Sequence, residues 1–114
     1  MVKQGDIFEY DFGFPVDNRQ AGRRPAIVVQ TDLLNDVQGY QLTLVVPVTT
    51  KGKPGVPTHI LIQPADSNGL TEISFAKCEQ IHTVAKPRLG ARMGSVSKEQ
   101  LYLIKIALRN VLNL

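Results

Sequence analysis

The 114-residue sequence predicts an α+β fold, mainly β: a small twisted sheet or partly open barrel of short antiparallel strands with a C-terminal helix packed on it. Two observations predict this class. Five or six short strand-like segments follow one another at close spacing up to residue 85. The pattern then changes to helical spacing from Ser97 onward. The length suits one domain, which we expect to span residues 1–114.

The first half of the chain predicts three strands and a long loop. Aromatic side chains occupy every second position of residues 7–12, which is strand periodicity. Residues 13–25 are rich in glycine, proline and other turn-forming residues and predict a loop. Residues 26–31 form a short apolar run, typical of a strand buried on both faces. The next strand is predicted for residues 41–49, where Pro47 should form a bulge or mark a sheet edge because it has no N–H.

The second half of the chain predicts three more strands and one helix. The strands cover residues 58–63, 73–78 and 80–85. Ser97 and Gln100 have the spacing of a capping box, which indicates that a helix begins there. The apolar residues that follow form one stripe at helical spacing: Leu101, Ile104, Ala107, Leu108, Val111 and Leu112. A second, smaller face either contacts a partner subunit or is partly exposed, and it consists of Leu103, Ile106 and Asn110.

The composition indicates a soluble cytoplasmic protein that is mildly basic. The net charge of +3 and the isoelectric point near 9.2 favour a polyanionic partner without requiring one. Cys78 is the only cysteine, so no internal disulfide forms and a reducing compartment is expected. The N-terminus lacks the apolar run of a signal peptide, and the longest apolar stretch, residues 44–48, is far too short to span a bilayer.

An arginine–proline step and a pair of threonines are the first candidates for chemistry. Pro25 disfavours helical backbone at Arg24, so the guanidinium projects from an extended backbone and suits a phosphate. Thr49 and Thr50 end their predicted strand with hydroxyls that suit phosphate oxygens. If each motif is taken alone, a solvated loop arginine and threonines with ordinary strand propensity are the simpler alternatives. Two more cations follow the threonines, and they are Lys51 and Lys53.

The remaining polar candidates are two histidines and a short polar run. His59 and His82 would suit an acid–base pair, but nothing in their spacing shows that they converge, so two satisfied strand or surface histidines are the simpler interpretation. Two histidines with one cysteine and no carboxylate cluster predict no metal site. Lys77, Glu79 and Gln80 either reach a site or interface, or mark the solvated end of a strand.

Several stretches taken together resemble the MazF/PemK family of toxin endoribonucleases. Each is short, but their order and spacing are specific and cover nearly the whole chain, which favours functional roles for Arg24 and Thr49 over the simpler alternatives. The stretches are Gly-Asp-Ile at 5–7, Gln-Ala-Gly-Arg-Arg-Pro at 20–25 with the apolar run after it, Val-Pro-Val-Thr-Thr at 46–50, Pro-Thr-His-Ile at 57–60, Glu-Gln-Ile-His-Thr-Val at 79–84 and Lys-Pro-Arg-Leu at 86–89.

The resemblance implies a fold, an activity and partners. The fold would be a small SH3-like barrel of the CcdB/MazF type, assembled as a homodimer. The activity would be sequence-specific cleavage of single-stranded RNA, without metal or cofactor, to a 2′,3′-cyclic phosphate and a 5′-hydroxyl. The chain would be the toxin of a type II toxin–antitoxin system. Its partner would be a MazE-like antitoxin whose acidic, partly disordered C-terminal segment lies in the RNA groove.

The resemblance also implies roles for individual residues. Arg24 and Thr49 match the main catalytic pair of the family. Lys77 and Glu79 match positions that are invoked in the Kid/PemK branch, and Glu79 is the carboxylate that we nominate as general base. The expected RNA contacts are polar or basic side chains in the matched stretches and their loops: Arg19, Gln20, Arg23, Thr50, Lys51, Lys53, Gln80, His82, Lys86 and Arg88.

Two departures and two rival functions stay open at this stage. Arg19 stands where family members often have glutamate, and His82 stands where many have arginine, so the preferred RNA sequence does not transfer. One rival is a CcdB-like toxin that inhibits DNA gyrase, but such toxins carry a tryptophan near the C-terminus and this chain has none. The other is a non-catalytic RNA- or DNA-binding barrel, for which the aromatic content of 6% offers few stacking platforms.

Overall fold

Seven short strands and two helices make up the fold of residues 1–114, all of which the computed structural model describes. One turn of 3-10 helix, Lys86–Arg88, lies between the last two strands. The strands are β1 (Asp6–Asp11), β2 (Arg23–Val28), β3 (Leu42–Thr49), β4 (His59–Ile62), β5 (Ser74–Lys77), β6 (His82–Ala85) and β7 (Arg92–Ser95), and the helices are α1 (Asp32–Asn35) and α2 (Lys98–Leu112).

The strands form one antiparallel sheet in the order β4-β5-β3-β2-β1-β7. The first half of β3 pairs with β6 instead, through residues 42–45. Its second half pairs with β5 at residues 48–49. Because β3 changes partner along its length, the sheet curls into a half-barrel. The predicted fold class, a partly open antiparallel barrel with a C-terminal helix, is confirmed.

Pro47 lies in the middle of the sheet, so the expectation of an edge or a bulge was wrong. Its strand, β3, has β2 on one side, where Pro47 pairs with Ala26 in regular register. On the other side Pro47 falls between the residues paired with β6 and those paired with β5. No ladder partner needs an N–H at this point, which explains why proline is tolerated in a central strand.

Strand β2 begins at Arg23, three residues earlier than predicted. Arg24 pairs with Tyr10 of β1, so the arginine–proline step belongs to the sheet and not to the preceding loop. The extended backbone that Pro25 imposes on Arg24 is compatible with this pairing. Strand β7 and helix α1 were not predicted. Strand β7 forms by pairing with β1, and Arg92 Nη2 lies 3.1 Å from Asp6 Oδ1 across that pair.

Helix α2 begins where the capping box predicted and packs on one face of the sheet. Ser97 Oγ accepts from the Gln100 N–H and the Gln100 side chain accepts from the Ser97 N–H. Ile104 and Ala107 are fully buried against the sheet, whereas the smaller face with Leu103 is exposed. The core residues around α2 include Ile7, Ile27, Val46, Val48 and Ile62. The opposite face of the sheet carries a second cluster, made of Phe8, Ala26, Val28, Val45 and Val84.

Candidate active site

Arg24 and Thr49 lie on neighbouring strands, and the pairing register brings them together. Ala26 pairs with Pro47, and the same antiparallel register continued by two residues places Arg24 opposite Thr49. Side chains directly opposite one another in an antiparallel pair lie on the same face, with Cβ atoms about 5 Å apart. Both residues line one cleft with a volume of about 350 Å³. The two groups that the sequence selected are therefore neighbours in the fold.

Most of the residues that line the cleft are polar or charged. Four of the predicted site residues line it, namely Arg23, Arg24, Thr49 and Thr50. The remaining lining residues come from the ends of the strands and from the segment before β5: Pro25, Val48, Gly69, Leu70, Thr71, Glu72, Ser74 and Met93.

Arg24 is held at one point and leaves most of its donors available. Its Nε–H donates to the carbonyl oxygen of Ala21 at 2.7 Å, which fixes the guanidinium near the end of the β1–β2 loop. The two Nη groups keep their N–H donors for a ligand in the cleft. Burial lowers the pKa of Arg24, but a guanidinium remains charged at neutral pH. The result is a fixed cation with a free planar edge, which matches a phosphate.

Thr49 is buried, with 4% of its surface exposed, and its hydroxyl is oriented by the backbone. Its Oγ1 accepts from the backbone N–H of Lys51 at 3.1 Å. The structure gives its own O–H no protein acceptor, so that hydrogen is available to a ligand. An oriented hydroxyl donor beside a guanidinium can bind a tetrahedral anion from two sides.

Glu72 is a cleft residue that sequence reasoning missed. It lies in the segment before β5 and is the one carboxylate among the cleft residues. Ser74 Oγ donates to the backbone carbonyl oxygen of Glu72 at 2.9 Å and so fixes this segment. No periodicity or motif marks position 72, because its place in the cleft results from the pairing of β5 with β3.

Lys77 and Glu79 do not line this cleft. Lys77 belongs to β5 on the face that Thr49 occupies, and the register places it beyond Phe75, away from Thr49. The Glu79 Oε2 atom lies 2.9 Å from His59 Nε2. Burial raises the pKa of Glu79, but hydrogen bonds from its own backbone N–H and from His59 outweigh that effect and place the pKa below its ordinary value. The catalytic roles expected for these two residues stay predictions.

A second, smaller recess of about 160 Å³ collects other predicted RNA contacts. Arg19, Gln20 and His82 line it together with aromatic Phe12, whose ring centroid lies 5.0 Å from that of His82. The Arg19 guanidinium is paired with Asp17 at 2.9 Å. This recess is formed mainly by the β1–β2 loop and is separate from the Arg24 cleft.

Gln80 joins this recess to the turn between β5 and β6. Its Oε1 accepts from the backbone N–H of Gln20 at 2.7 Å. Its backbone carbonyl oxygen lies 2.9 Å from His82 Nδ1. Gln80 therefore holds the β1–β2 loop in place, and an RNA contact through the same side chain would have to share this bond.

The predicted cations divide into a group near the cleft and a group near the other end of β3. Lys51 and Lys53 are exposed on the β3–β4 loop and enter none of the ion pairs. Arg23 is exposed at the cleft, 3.9 Å from Glu9. Lys86 instead donates to the carbonyl oxygen of Asn35 at 2.9 Å, at the other end of β3, a strand whose length from Leu42 to Thr49 is about 23 Å at the usual rise. Arg88 is exposed in the 3-10 turn.

Two other chemical possibilities can be judged from the geometry. No group of three or more His, Cys, Asp or Glu side chains is placed to hold a metal ion. Cys78 is fully buried, and its burial, aided by the nearby Glu79 charge, raises the pKa of the thiol to about 12. A thiol with that pKa stays protonated at neutral pH and is a poor nucleophile.

No helix has the length and apolar character that crossing a bilayer requires.

Comparison with known sequences gives the same family over almost the full length. Residues 3–112 match the family model of PemK-like, MazF-like toxins of type II toxin–antitoxin systems. The chain is 34% identical over 102 residues to the endoribonuclease toxin MazF of Escherichia coli strain K12, which covers 89% of this chain and 85% of that protein. It is 30% identical over 110 residues to the endoribonuclease MazF of Staphylococcus epidermidis, which covers 95% and 88% of the two chains.

Solved structures share the fold. An endoribonuclease from a mycobacterial species, in complex with its cognate antitoxin, superposes with a TM-score of 0.81 at 24% identity and covers 100% of this chain and 97% of that one. MazF from Deinococcus radiodurans superposes with a TM-score of 0.77 at 23% identity and covers 99% and 97%. Because the family model matches residues 3–112, the chain belongs to the PemK-like, MazF-like toxins of type II toxin–antitoxin systems, as its motifs predicted.

Proposed function

We propose that this chain is a metal-independent endoribonuclease that cleaves single-stranded RNA in the cleft between Arg24 and Thr49, within one domain spanning residues 1–114. One observation carries the proposal. Arg24 and Thr49 lie on neighbouring strands and line one cleft, and the Arg24 Nη groups and the Thr49 O–H donate to no other group of the protein. The relatives named endoribonuclease MazF support this activity.

The reaction is an internal displacement at phosphorus. The ribose 2′-oxygen bonds to the adjacent phosphorus while the bond from phosphorus to the 5′-oxygen breaks, which gives a 2′,3′-cyclic phosphate and a 5′-hydroxyl. Charge gathers on the non-bridging oxygens and on the departing 5′-oxygen, which takes a proton from solvent water to become the hydroxyl, while the proton removed from the 2′-hydroxyl returns to solvent. The Arg24 Nη groups and the Thr49 hydroxyl stabilise that charge with donors that are already in place. This stabilisation is what a metal ion would otherwise supply.

The proton of the 2′-hydroxyl needs an acceptor. Glu72 lines the cleft, whereas Glu79 accepts a hydrogen bond from His59 outside it, and Glu9 lines a neighbouring recess and lies 3.9 Å from the Arg23 guanidinium. The cleft geometry therefore favours Glu72 as general base. Loss of a general base typically lowers the rate about 100-fold or more. A Glu72→Gln variant that cleaves at the wild-type rate, with an unchanged acid limb in its pH–rate profile, would remove Glu72 from the mechanism.

The partners follow from the same surface and from the family. Arg23, Lys51 and Lys53 place positive charge at and beside the cleft, where an RNA backbone or an acidic protein segment would bind. We propose a homodimer that acts in the cytoplasm and is neutralised by a MazE-like antitoxin with an acidic C-terminal segment. A mycobacterial relative solved with its cognate antitoxin supports this arrangement.

Incubation of the purified protein with a long, end-labelled single-stranded RNA in excess chelator tests the proposal. We expect fragments whose 3′ ends are cyclic phosphates and whose 5′ ends accept phosphate from a kinase without prior dephosphorylation. Mapping those ends also gives the cleavage sequence. RNA retained intact would favour the non-catalytic barrel, and intact RNA together with inhibition of DNA gyrase supercoiling would favour the CcdB-like toxin.

A further inference from the structure

The β3–β4 loop, residues 50–58, is fastened to the rest of the structure at several points, and two of them involve Gly52 and Lys53. At the first point Gly52 packs so closely on Phe75 of β5 that a Cβ at Gly52 would lie 2.3 Å from the Phe75 Cβ. At the second point the backbone N–H of Lys53 donates to Nδ1 of His59, the first residue of β4, at 3.1 Å. Lys51 comes directly before the first anchor and Lys53 is the second anchor itself, and both side chains are exposed and outside every ion pair.

The His59 ring is fixed by partners at both nitrogens. Because a backbone N–H only donates, Nδ1 must accept from Lys53, and the ring proton of the neutral form then lies on Nε2. Nε2 lies 2.9 Å from the Glu79 carboxylate and donates to it. Only 9% of the His59 side chain is exposed, and Lys77 pairs with it across the β4–β5 ladder. Burial with two satisfied nitrogens favours one tautomer and one ring orientation.

Glu79 also connects His59 to the β1–β2 loop. The residue after Glu79 is Gln80, whose side-chain oxygen accepts from the Gln20 N–H at 2.7 Å. Ala21, which follows Gln20, accepts from the Arg24 guanidinium through its carbonyl oxygen. The turn between β5 and β6 is thus connected to two loops. His59 links it to the β3–β4 loop, and Gln80 links it to the β1–β2 loop.

We infer that His59 is a positioning residue: its bond to the Lys53 N–H holds the β3–β4 loop where Lys51 and Lys53 bind RNA phosphates that flank the scissile one, and its bond to Glu79 orients the imidazole ring. The inference rests on the proposed function. His59 does not line the cleft, so it touches no reacting atom and serves substrate binding. Its partner for acid–base chemistry would be His82, but that ring packs edge-to-face against Phe12 in the separate recess.

Two substitutions at His59 separate the two bonds. The side-chain oxygen of asparagine lies near the position of Nδ1, so His59→Asn keeps an acceptor for the Lys53 N–H and loses the donor to Glu79. The side-chain nitrogen of glutamine lies near the position of Nε2, so His59→Gln keeps the donor and loses the acceptor. Gly52→Ala removes the other anchor, since its Cβ would overlap Phe75.

The test is steady-state cleavage of a short RNA that contains the mapped cleavage sequence, at several salt concentrations, with hydrogen exchange at the Lys53 amide. We expect His59→Gln and Gly52→Ala to raise KM about tenfold with kcat unchanged, the order expected for loss of one or two phosphate contacts, and to reduce the salt dependence of KM. His59→Gln should also abolish protection of the Lys53 amide. His59→Asn should keep both the protection and the wild-type KM.

Several outcomes would overturn the inference. An unchanged KM in His59→Gln, or equal effects of the asparagine and glutamine variants, would show that the Lys53 bond does not matter. A lower kcat with unchanged KM would mean that His59 acts in the chemical step. A lower melting temperature alone would mean a purely structural role. The exchange measurement needs no RNA, so the bond is tested even if the chain proves not to cleave RNA.

Discussion

Strand β3 carries a buried threonine near each end, and the two threonines use their hydroxyls in opposite ways. Thr43 is fully buried, and its Oγ1 donates its hydrogen to the Asn35 side-chain oxygen at 2.8 Å. Thr49, six residues later, accepts from the Lys51 backbone and keeps its hydrogen for the cleft. The same side chain in the same strand is a structural group where its donor is used internally and a candidate functional group where its donor is left free.

The cations near the two ends of β3 repeat this contrast. At the Thr43 end, the Lys86 ammonium donates to the Asn35 carbonyl oxygen and lies 5.9 Å from the centroid of the Tyr40 ring. At the Thr49 end, Lys51 and Lys53 have no acidic partner. Paired polar groups stabilise the fold, whereas donors held in place without a partner are ready for a ligand. The predictions below test this division between a structural end and a functional end.

The largest effect is expected for Arg24→Ala at the functional end. Removing the guanidinium takes away the charge that stabilises the transition state, and we expect kcat/KM for RNA cleavage to fall about 100- to 1,000-fold. The melting temperature should stay close to wild type because the side chain makes one internal hydrogen bond, to Ala21. Steady-state cleavage and thermal unfolding measure the two quantities.

Arg23→Ala is the matched control for this prediction. Arg23 also lines the cleft, but it is exposed and its guanidinium lies 3.9 Å from Glu9. We expect it to raise KM in a salt-dependent way without a large change in kcat. Equal loss of kcat in the two variants would mean that the cleft recognises positive charge and not a placed guanidinium.

The second prediction concerns two single variants, in which either Thr49 or Thr43 is replaced by valine. Thr49→Val removes a hydrogen bond to a charged group, so cleavage should slow about ten- to hundredfold, and Thr49→Ser should restore it. Thr43→Val should leave cleavage unchanged and lower the free energy of unfolding by about 1 kcal/mol. The Asn35 oxygen would keep its other donor, Gln30 Nε2 at 2.9 Å. Reversal of these two results would end the distinction between the two ends.

The sequence predicted the helices and strands better than the pairing between the strands. The capping box at Ser97 fixed the start of α2 because its bonds are local. Pro47 was misjudged because its tolerance depends on β3 changing partner at that point, which involves strands far apart in the chain. Strand β2 was predicted to begin too late because pairing with β1 extends it over Arg23 and Arg24.

The candidate site shows the same limit. Arg24 and Thr49 were selected for the chemistry of their side chains and then favoured by the family motifs, but their place in one cleft follows from the pairing of β2 with β3. Glu72 was missed because no pattern marks the segment before β5. His59 and Glu79 are 20 residues apart, and their bond exists only because β4 and β5 form a hairpin. Local signals predict elements, and long-range pairing decides which side chains meet.

The third prediction concerns the salt dependence of RNA binding. Each lysine that neutralises a phosphate of a single strand contributes about 0.7 to the slope of log affinity against log salt concentration. Lys51→Ala and Lys53→Ala should each lower that slope by this amount. Lys86→Ala should leave it unchanged, because its ammonium serves Asn35 and Tyr40 at the other end of the strand. A lower slope for Lys86→Ala would contradict this prediction and support its sequence-based assignment as an RNA contact.

The smallest effect is the acid sensitivity of the structural end. The Gln4 backbone N–H donates to Asp32 Oδ1 at 2.8 Å, and this bond, opposed by partial burial and aided by Asn35, lowers the pKa of Asp32 below its ordinary value of 3.8. A carboxyl with a lowered pKa in the folded state binds protons more readily when the chain is unfolded. Its stabilisation is therefore present above about pH 4 and is lost as the pH falls through the folded-state pKa.

The Asp32→Asn variant should have a lower stability than wild type at neutral pH and the same stability in acid, with cleavage at neutral pH unaffected. Thermal unfolding between pH 3 and pH 6 measures this, and parallel pH profiles for the two proteins would show that Asp32 does not report on this end of the sheet.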